Sequence, residues 1–150
     1  MTRDEGEGAG HVDFEIRLAE ESDFDAVFGV DYNHREALVK TAVERGECYA
    51  AWDGDTAAAF AIMSRNFFGF DFIELLIVSE PYRRKGIGMA LLEHLYGVCG
   101  TPKLFTSTNQ SNLPMQGLLD KAGFMYCGMI DALDEGDPEL FYVRRKQYAR

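Results

Sequence analysis

The sequence predicts one mixed α/β domain, and three observations predict it. Strand-like and helix-like hydrophobic patterns follow one another along the chain, with a strand at each end. The 150 residues, 47% of them hydrophobic, suffice to bury a real core and match the usual length of one domain. No internal repeat, long linker or low-complexity block divides the chain.

Residues 1–12 are polar, acidic and Gly-rich. They read as a loose tail ahead of a domain over 13–150, and they lack the apolar h-region of a secretory signal. DFEIRL (13–18) alternates polar and apolar residues and reads as the first strand. Ser22, with Asp25 three residues on, reads as the cap of a short helix over 23–30. Asn33 is placed to cap a second helix running to about Arg45 and stopped by Gly46. Cys48–Trp52 and Thr56–Ser64 are strand-like runs joined by Asp53-Gly54-Asp55, a strong hairpin signal. FIELLIV (72–78) is a buried-type strand with one charge in it. A helix follows from Gly86 to about Val98, with Leu91, Leu92 and Leu95 on one side. KLFTST (103–108) is the next strand, and Asn112 begins a helix that ends near Ala122 with Gly123 behind it. Phe124–Ile130 and Leu140–Arg145 are the last strands, connected by an acidic loop over 131–139. Helices packed on a central sheet are the expected architecture.

Composition narrows the function classes. A formal charge of −10 repels nucleic acid and anionic membrane surfaces. It suits a cationic acceptor such as an amine, and it also serves solubility. No apolar run approaches the roughly 20 residues of a membrane helix. The three cysteines, Cys48, Cys99 and Cys127, are odd in number and lack metal-site spacing. That argues against a disulfide framework and a zinc site. No metal is expected, and reduced thiols point to the cytoplasm.

The most informative stretch runs from Val78 to Met89. A strand ends at Val78 and a helix begins near Gly86; between them stand Arg83, Arg84 and Lys85, followed by Gly86-Ile87-Gly88. The first amides of a helix have no intrahelical partner and carry positive partial charge. Such an end holds phosphate. Glycines at 86 and 88 let an anion approach the backbone, and the cations add formal charge. The GxxxxGK[ST] phosphate loop is absent, and a GxGxxG dinucleotide fingerprint fails because Leu91 stands where its third glycine belongs.

These residues resemble the GNAT superfamily of N-acetyltransferases, whose motif [Arg/Gln]-x-x-Gly-x-[Gly/Ala] is matched by Arg83-x-x-Gly86-x-Gly88. Leu75-Leu76-Ile77-Val78 resembles the family's fourth strand, and Asn112…Leu119…Gly123-Phe124 its final conserved helix and turn. The resemblance covers residues 13–150. It implies a mostly antiparallel twisted sheet with splayed fourth and fifth strands and helices on both faces. It implies acetyl-CoA as cosubstrate, with pantetheine on the backbone of Ile77 and Val78. The pyrophosphate would lie on the amides of residues 84 to 89, that is Arg84, Lys85, Gly86, Ile87, Gly88 and Met89. Asn112 matches a position that contacts pantetheine or the thiol, with Asn109 and Ser111 as weaker candidates. Many members carry a Tyr seven residues after that Asn as general acid; here that position is Leu119.

Acetyl transfer to an amine needs an anchored thioester, a donor for its carbonyl oxygen and a base for the ammonium proton. The Val78 N–H is the expected oxygen donor. Glu74, the only charge in FIELLIV, shares a strand face with Phe72, Leu76 and Val78 and is the first candidate for the base. A carboxylate there must be partnered or face a wet cleft. Tyr126 and Tyr142 are candidate acids, each also readable as a core aromatic. His34, near the start of the second helix, is a candidate acceptor-binding residue, while His94 reads as a surface or packing residue. The acceptor is expected to be a small-molecule or peptide amine, and the oligomeric state stays open, a homodimer included. Two other readings compete: a non-catalytic acyl-CoA sensor, favoured by Leu119, and a plain phosphate- or nucleotide-binding domain.

Overall fold

The structure, a computed structural model, describes residues 14–146; the tail expected over 1–12 lies outside them. The elements are β1 (Glu15–Leu18), α1 (Phe24–Phe28), α2 (Glu36–Glu44), β2 (Cys48–Asp53), β3 (Thr56–Phe67), β4 (Phe70–Val78), α3 (Ile87–Val98), β5 (Lys103–Asn109), α4 (Leu113–Lys121), β6 (Met125–Ile130) and β7 (Glu139–Arg145). Their order is the expected one. The seven strands form one sheet in the order β1-β2-β3-β4-β5-β7-β6. It is mostly antiparallel, with β4 and β5 parallel. Residue contacts gather into two units. One holds the residues up to Ile62 together with Leu75–Leu91; the other holds Met63–Glu74 and the residues from Leu92 onward.

In the first unit, β1 pairs antiparallel with β2 from Glu15↔Trp52 to Leu18↔Tyr49, and β2 with β3 from Asp53↔Thr56 to Cys48↔Ile62. The Asp-Gly hairpin forms as expected, with Gly54 at φ 61. Ala50, Ala51, Ala57, Ala58, Ala59 and Ala61 are all buried. Such small side chains on both faces bring packed neighbours close to the strand backbone. Val27, Val39, Ala42 and Val43 of α1 and α2 share a core with Ala50, Trp52, Phe60 and Ile62 of the strands.

Both caps expected here are corrected. Ser22 lies inside a 3₁₀ turn, Glu21–Asp23, and it is Asp23 that closes the turn by accepting the Glu20 amide at 2.8 Å. Arg17 donates to the same carboxylate at 2.8 Å and holds it below the usual carboxylate range. Asn33 does not cap α2, which starts at Glu36. Instead the buried Asp31 carboxylate accepts the amides of Asn33 (3.0 Å) and Arg35 (2.8 Å) and the Arg35 guanidinium (2.7 Å). Burial alone would push this carboxyl up, but the Arg35 side chain and the two amides outweigh it and hold it low. Side-chain reach from a fully buried position, rather than spacing to the helix, decides which residue organises this loop.

In the second unit, β4 and β5 pair at Asp71↔Leu104, Phe72↔Phe105 and Ile73↔Thr106, and the parallel ladder ends there, before either strand does. β5 pairs with β7 along its length, from Lys103↔Arg145 to Asn109↔Glu139, and β7 with β6. β3 runs three residues beyond the expected Ser64, to Phe67, and turns into β4 through Phe68 (φ 55) and Gly69 (φ 84). Positive φ at both residues suits a two-residue hairpin turn. Asp71 is a buried pin: it accepts Arg65 at 3.1 Å and the Gly100 amide at 2.7 Å. A Cβ at Gly100 would come within 2.5 Å of the Arg65 guanidinium, so glycine is what admits that side chain. Asn112 caps α4 as expected, accepting the Met115 amide at 3.1 Å, and Gly123 follows the helix at φ 87.

Candidate active site

The turn after β4 is built to leave amides unused. Ser79 is extended, Glu80-Pro81-Tyr82 forms a 3₁₀ turn, and Arg83 is extended again. Tyr82 anchors this turn to the β2–β3 hairpin by donating to Asp53 at 2.8 Å. Arg84 then adopts φ 65 and Gly86 φ 85, before α3 starts at the buried Ile87. Left-handed residues at 84 and 86 coil the chain into a concavity of N–H groups, an anion nest. The first amide of this helix to find a backbone acceptor is that of Ala90, bonded to Gly86 at 3.0 Å. Among the described residues, the amides of residues 84–89 have no protein acceptor. A Cβ at Gly86 would meet nothing within 4 Å, so the approach is open. Arg84 and Lys85 are exposed and have no carboxylate in ion-pairing range among the described residues. Arg83 departs from the expected part of a third free cation: its Nε donates to the Val78 carbonyl at 3.0 Å and its guanidinium lies 6.0 Å from the Tyr32 ring.

The end of β4 supplies the second feature. Ser79 N–H donates to Ala58 of β3 at 2.9 Å. Backbone groups alternate sides along a strand, so the Val78 N–H and C=O face the other edge. Ile77 is buried and Val78 partly exposed.

The description of the acetyltransferase (GNAT) family matches residues 14–124. The chain belongs to that family. Among solved structures, an acetyltransferase of the GNAT family from Bacillus cereus ATCC 10987 is 30% identical, with a TM-score of 0.85 over 91% of this chain and 99% of that one. Ard1 from Thermoplasma volcanium is 18% identical at a TM-score of 0.80, over 91% and 100% of the two chains. An N-acetyltransferase from Staphylococcus aureus Mu50 is 20% identical at 0.72, over 89% and 98%. The last two likenesses show the fold alone. No curated protein matches the chain. As a member of this family the GNAT protein is an enzyme, an acyltransferase, and the family's cosubstrate is acetyl-CoA. That sets the sensor and nucleotide-domain readings aside. The nest, with six free amides, two left-handed residues and two unpaired cations, fits a diphosphate.

The remaining expected residues of this acetyltransferase fall into three groups. Glu74 is exposed and accepts a hydrogen bond from the buried Ser64 hydroxyl, so it is partnered, as a strand carboxylate needs to be where no wet cleft receives it. Tyr126 on β6 is 55% exposed, whereas Tyr142 opposite it on β7 is 5% exposed and burial pushes its phenol up. The two rings meet edge-on at 6.1 Å. Leu119 is fully buried, so no hydroxyl acid stands there. His34 is exposed, at φ 54, with its ring 6.0 Å from Phe28. Asn109 and Ser111 have structural partners: Asn109 donates to Asp134 (2.9 Å) and to the Asp137 carbonyl (3.1 Å), and Ser111 donates to Asp137 through its amide and hydroxyl. Asn112 commits one oxygen to its cap.

Sequence reasoning missed Ser64, Tyr82 and Asp31. Ser64 carried a usable signal, a polar residue closing an otherwise apolar strand; the other two act through contacts with no sequence periodicity. Among the described residues, one groove of about 360 Å³ is lined by residues including Phe24, Lys40 and Glu44, and another of about 550 Å³ by residues including Tyr96, Met125 and Arg144. Neither includes a residue of the nest. Among the described residues no three His, Cys, Asp or Glu side chains gather as a metal site.

Proposed function

We propose that this enzyme transfers the acetyl group of acetyl-CoA to a primary amine, of a small molecule or a protein N-terminus or lysine, by direct attack in a ternary complex. The observation that carries the reading is the run of unused amides over residues 84–89 beside Arg84 and Lys85. The diphosphate binds in this nest, and the pantetheine arm runs along the end of β4 at Ile77 and Val78, where the Val78 N–H faces away from β3. Asn112, whose side-chain oxygen is committed to its cap, keeps its side-chain N–H groups for the role the family resemblance assigns it toward pantetheine. The Val78 N–H donates to the thioester oxygen as it gains charge.

Glu74 takes the proton of the incoming ammonium, directly or through one water. The neutral nitrogen then attacks the carbonyl carbon; the C–N bond forms, the C–S bond breaks with its electron pair on sulfur, and the nitrogen gives up its second proton to water, which balances the proton the thiolate takes up. A thiol pKa of about 8.5 makes thiolate a fair leaving group, so a buried Leu119 in place of a phenol is tolerable. Tyr126, the exposed one of the two tyrosines, is the candidate acid for the departing sulfur. His34, exposed ahead of α2, is the candidate acceptor-binding residue.

Gly86→Val tests the reading. A β-branched residue at φ 85 costs about 1–2 kcal/mol of backbone strain, which a folded domain tolerates. Its side chain fills the space the diphosphate needs. Calorimetry should show acetyl-CoA affinity reduced at least tenfold in a variant whose circular dichroism is unchanged. Unaltered affinity would place the coenzyme elsewhere. Intersecting rather than parallel initial-rate lines would mark the ternary complex.

A further inference from the structure

The second unit carries a slab of aromatic rings on one face of its strands. Phe67 of β3 stacks on Phe72 of β4 at 4.8 Å and on Phe141 of β7 at 5.8 Å, and tilts against Phe105 of β5 at 5.0 Å. Phe72 and Phe141 meet at 6.2 Å. All four rings are only partly buried. Phe68, in the β3–β4 turn, is 88% exposed, holds a left-handed φ of 55 and meets Phe67 edge-on at 5.1 Å. A bulky residue at positive φ is a genuine outlier. Contiguous, partly exposed rings on a chain of charge −10 offer a surface for something flat and apolar.

Carboxylates stand at the border of the slab. Glu74 is two residues beyond Phe72 on the same face of β4. Ser107, two beyond Phe105 on β5, donates to Glu139 of β7 at 2.7 Å. Ser64 and Ser107 each occupy one oxygen of their carboxylate. Among the described residues no cation lies in ion-pairing range of Glu74 or Glu139. Partly exposed rings beside carboxylates with no cation in ion-pairing range complement one class of molecule, a flat apolar body carrying an ammonium. A linear polyamine would leave the rings wet, and a neutral arene would leave the charges unpaired.

We propose that the acceptor is an arylalkylamine, its ring on Phe72, Phe105 and Phe141 and its nitrogen toward Glu74 and Glu139. This rests on the amine-acetylation reading above and names its substrate class. The products are the N-acetyl arylalkylamine and coenzyme A; of the two protons the ammonium loses, one leaves through Glu74 and the other balances the proton gained by the coenzyme A thiol.

The test measures kcat/KM for 2-phenylethylamine, ethylamine and putrescine by thiol release from acetyl-CoA. Calorimetry measures phenylethylamine binding without coenzyme. Phenylethylamine should exceed ethylamine at least tenfold. Phe105→Leu keeps an apolar side chain and removes the π face; the ratio of phenylethylamine to ethylamine should fall about tenfold, mainly through KM. Phe141→Leu serves as a second variant, with melting curves to show that each folds. Putrescine or ethylamine used as well as phenylethylamine would overturn the proposal and leave amine acetylation standing. Turnover of no amine, with phenylethylamine binding that Phe105→Leu weakens, would support the ligand class while overturning the acetylation reading. A dimer in sedimentation that Phe68→Asp dissociates would overturn the proposal, because a second copy would then occupy the slab.

Discussion

Arg84→Gly should move stability and coenzyme affinity in opposite directions. Arg84 holds φ 65, a conformation that costs a side-chain-bearing residue about 1–2 kcal/mol. Glycine removes that cost, while its extra freedom in the unfolded chain takes back about 0.4–1 kcal/mol. The net gain is about 0.5–1 kcal/mol. At roughly 2–4 °C per kcal/mol for a chain of this size, the melting temperature should rise by about 1–4 °C. The guanidinium has no protein partner, so nothing in the fold is lost with it. A charge-assisted contact to phosphate would be lost, worth about 1.5–3 kcal/mol before the screening expected at an exposed position. Acetyl-CoA affinity should therefore fall about tenfold, and less at high salt. Differential scanning fluorimetry without ligand and calorimetry at two salt concentrations measure both effects. A lower melting temperature, or a dissociation constant within twofold of wild type, would refute the view that strain at 84 is maintained for binding.

Two further predictions concern other parts of the chain. Glu74→Gln should depress turnover at neutral pH far more than it changes acetyl-CoA binding; turnover that survives across the pH range would remove Glu74 as base. Asp31→Ala strips partners from two amides and the Arg35 guanidinium, and should cost about 2–4 kcal/mol, or roughly 4–16 °C in melting temperature. Because the folded Asp31 carboxyl is held low, its contribution is complete above the unfolded value of about 3.9 and is lost as pH falls through the folded one. The wild type should therefore lose its advantage over Asp31→Ala below about pH 4, and equal acid sensitivity would contradict that assignment.

The order of elements was legible because each strand and helix carries its own period, and the Asp-Gly hairpin its own turn chemistry. The nest was legible because glycines, cations and a strand–helix junction coincide within a few residues. Caps were read less well. Asp31 reaches past Asn33 to organise the loop, and only its burial explains why a more distant carboxylate wins. Arg83 shows the same limit: three adjacent cations look alike in sequence, yet one of them bonds back to the strand it follows. The aromatic slab was out of reach because its rings come from four strands, and their meeting depends on pairing registers that no local pattern encodes.

Asn109 and Ser111 tie the β5–α4 connection to the acidic segment between β6 and β7, and Gln110 adds a backbone bond to Pro138 at 2.8 Å. The two stretches thus behave as one clasped piece, although more than 20 residues separate Asn109 from its partner Asp134. Anyone grafting the acidic segment from a relative would have to transplant both halves of the clasp. A graft carrying one half alone would leave the buckle open, with donors on one side and nothing to fasten them to.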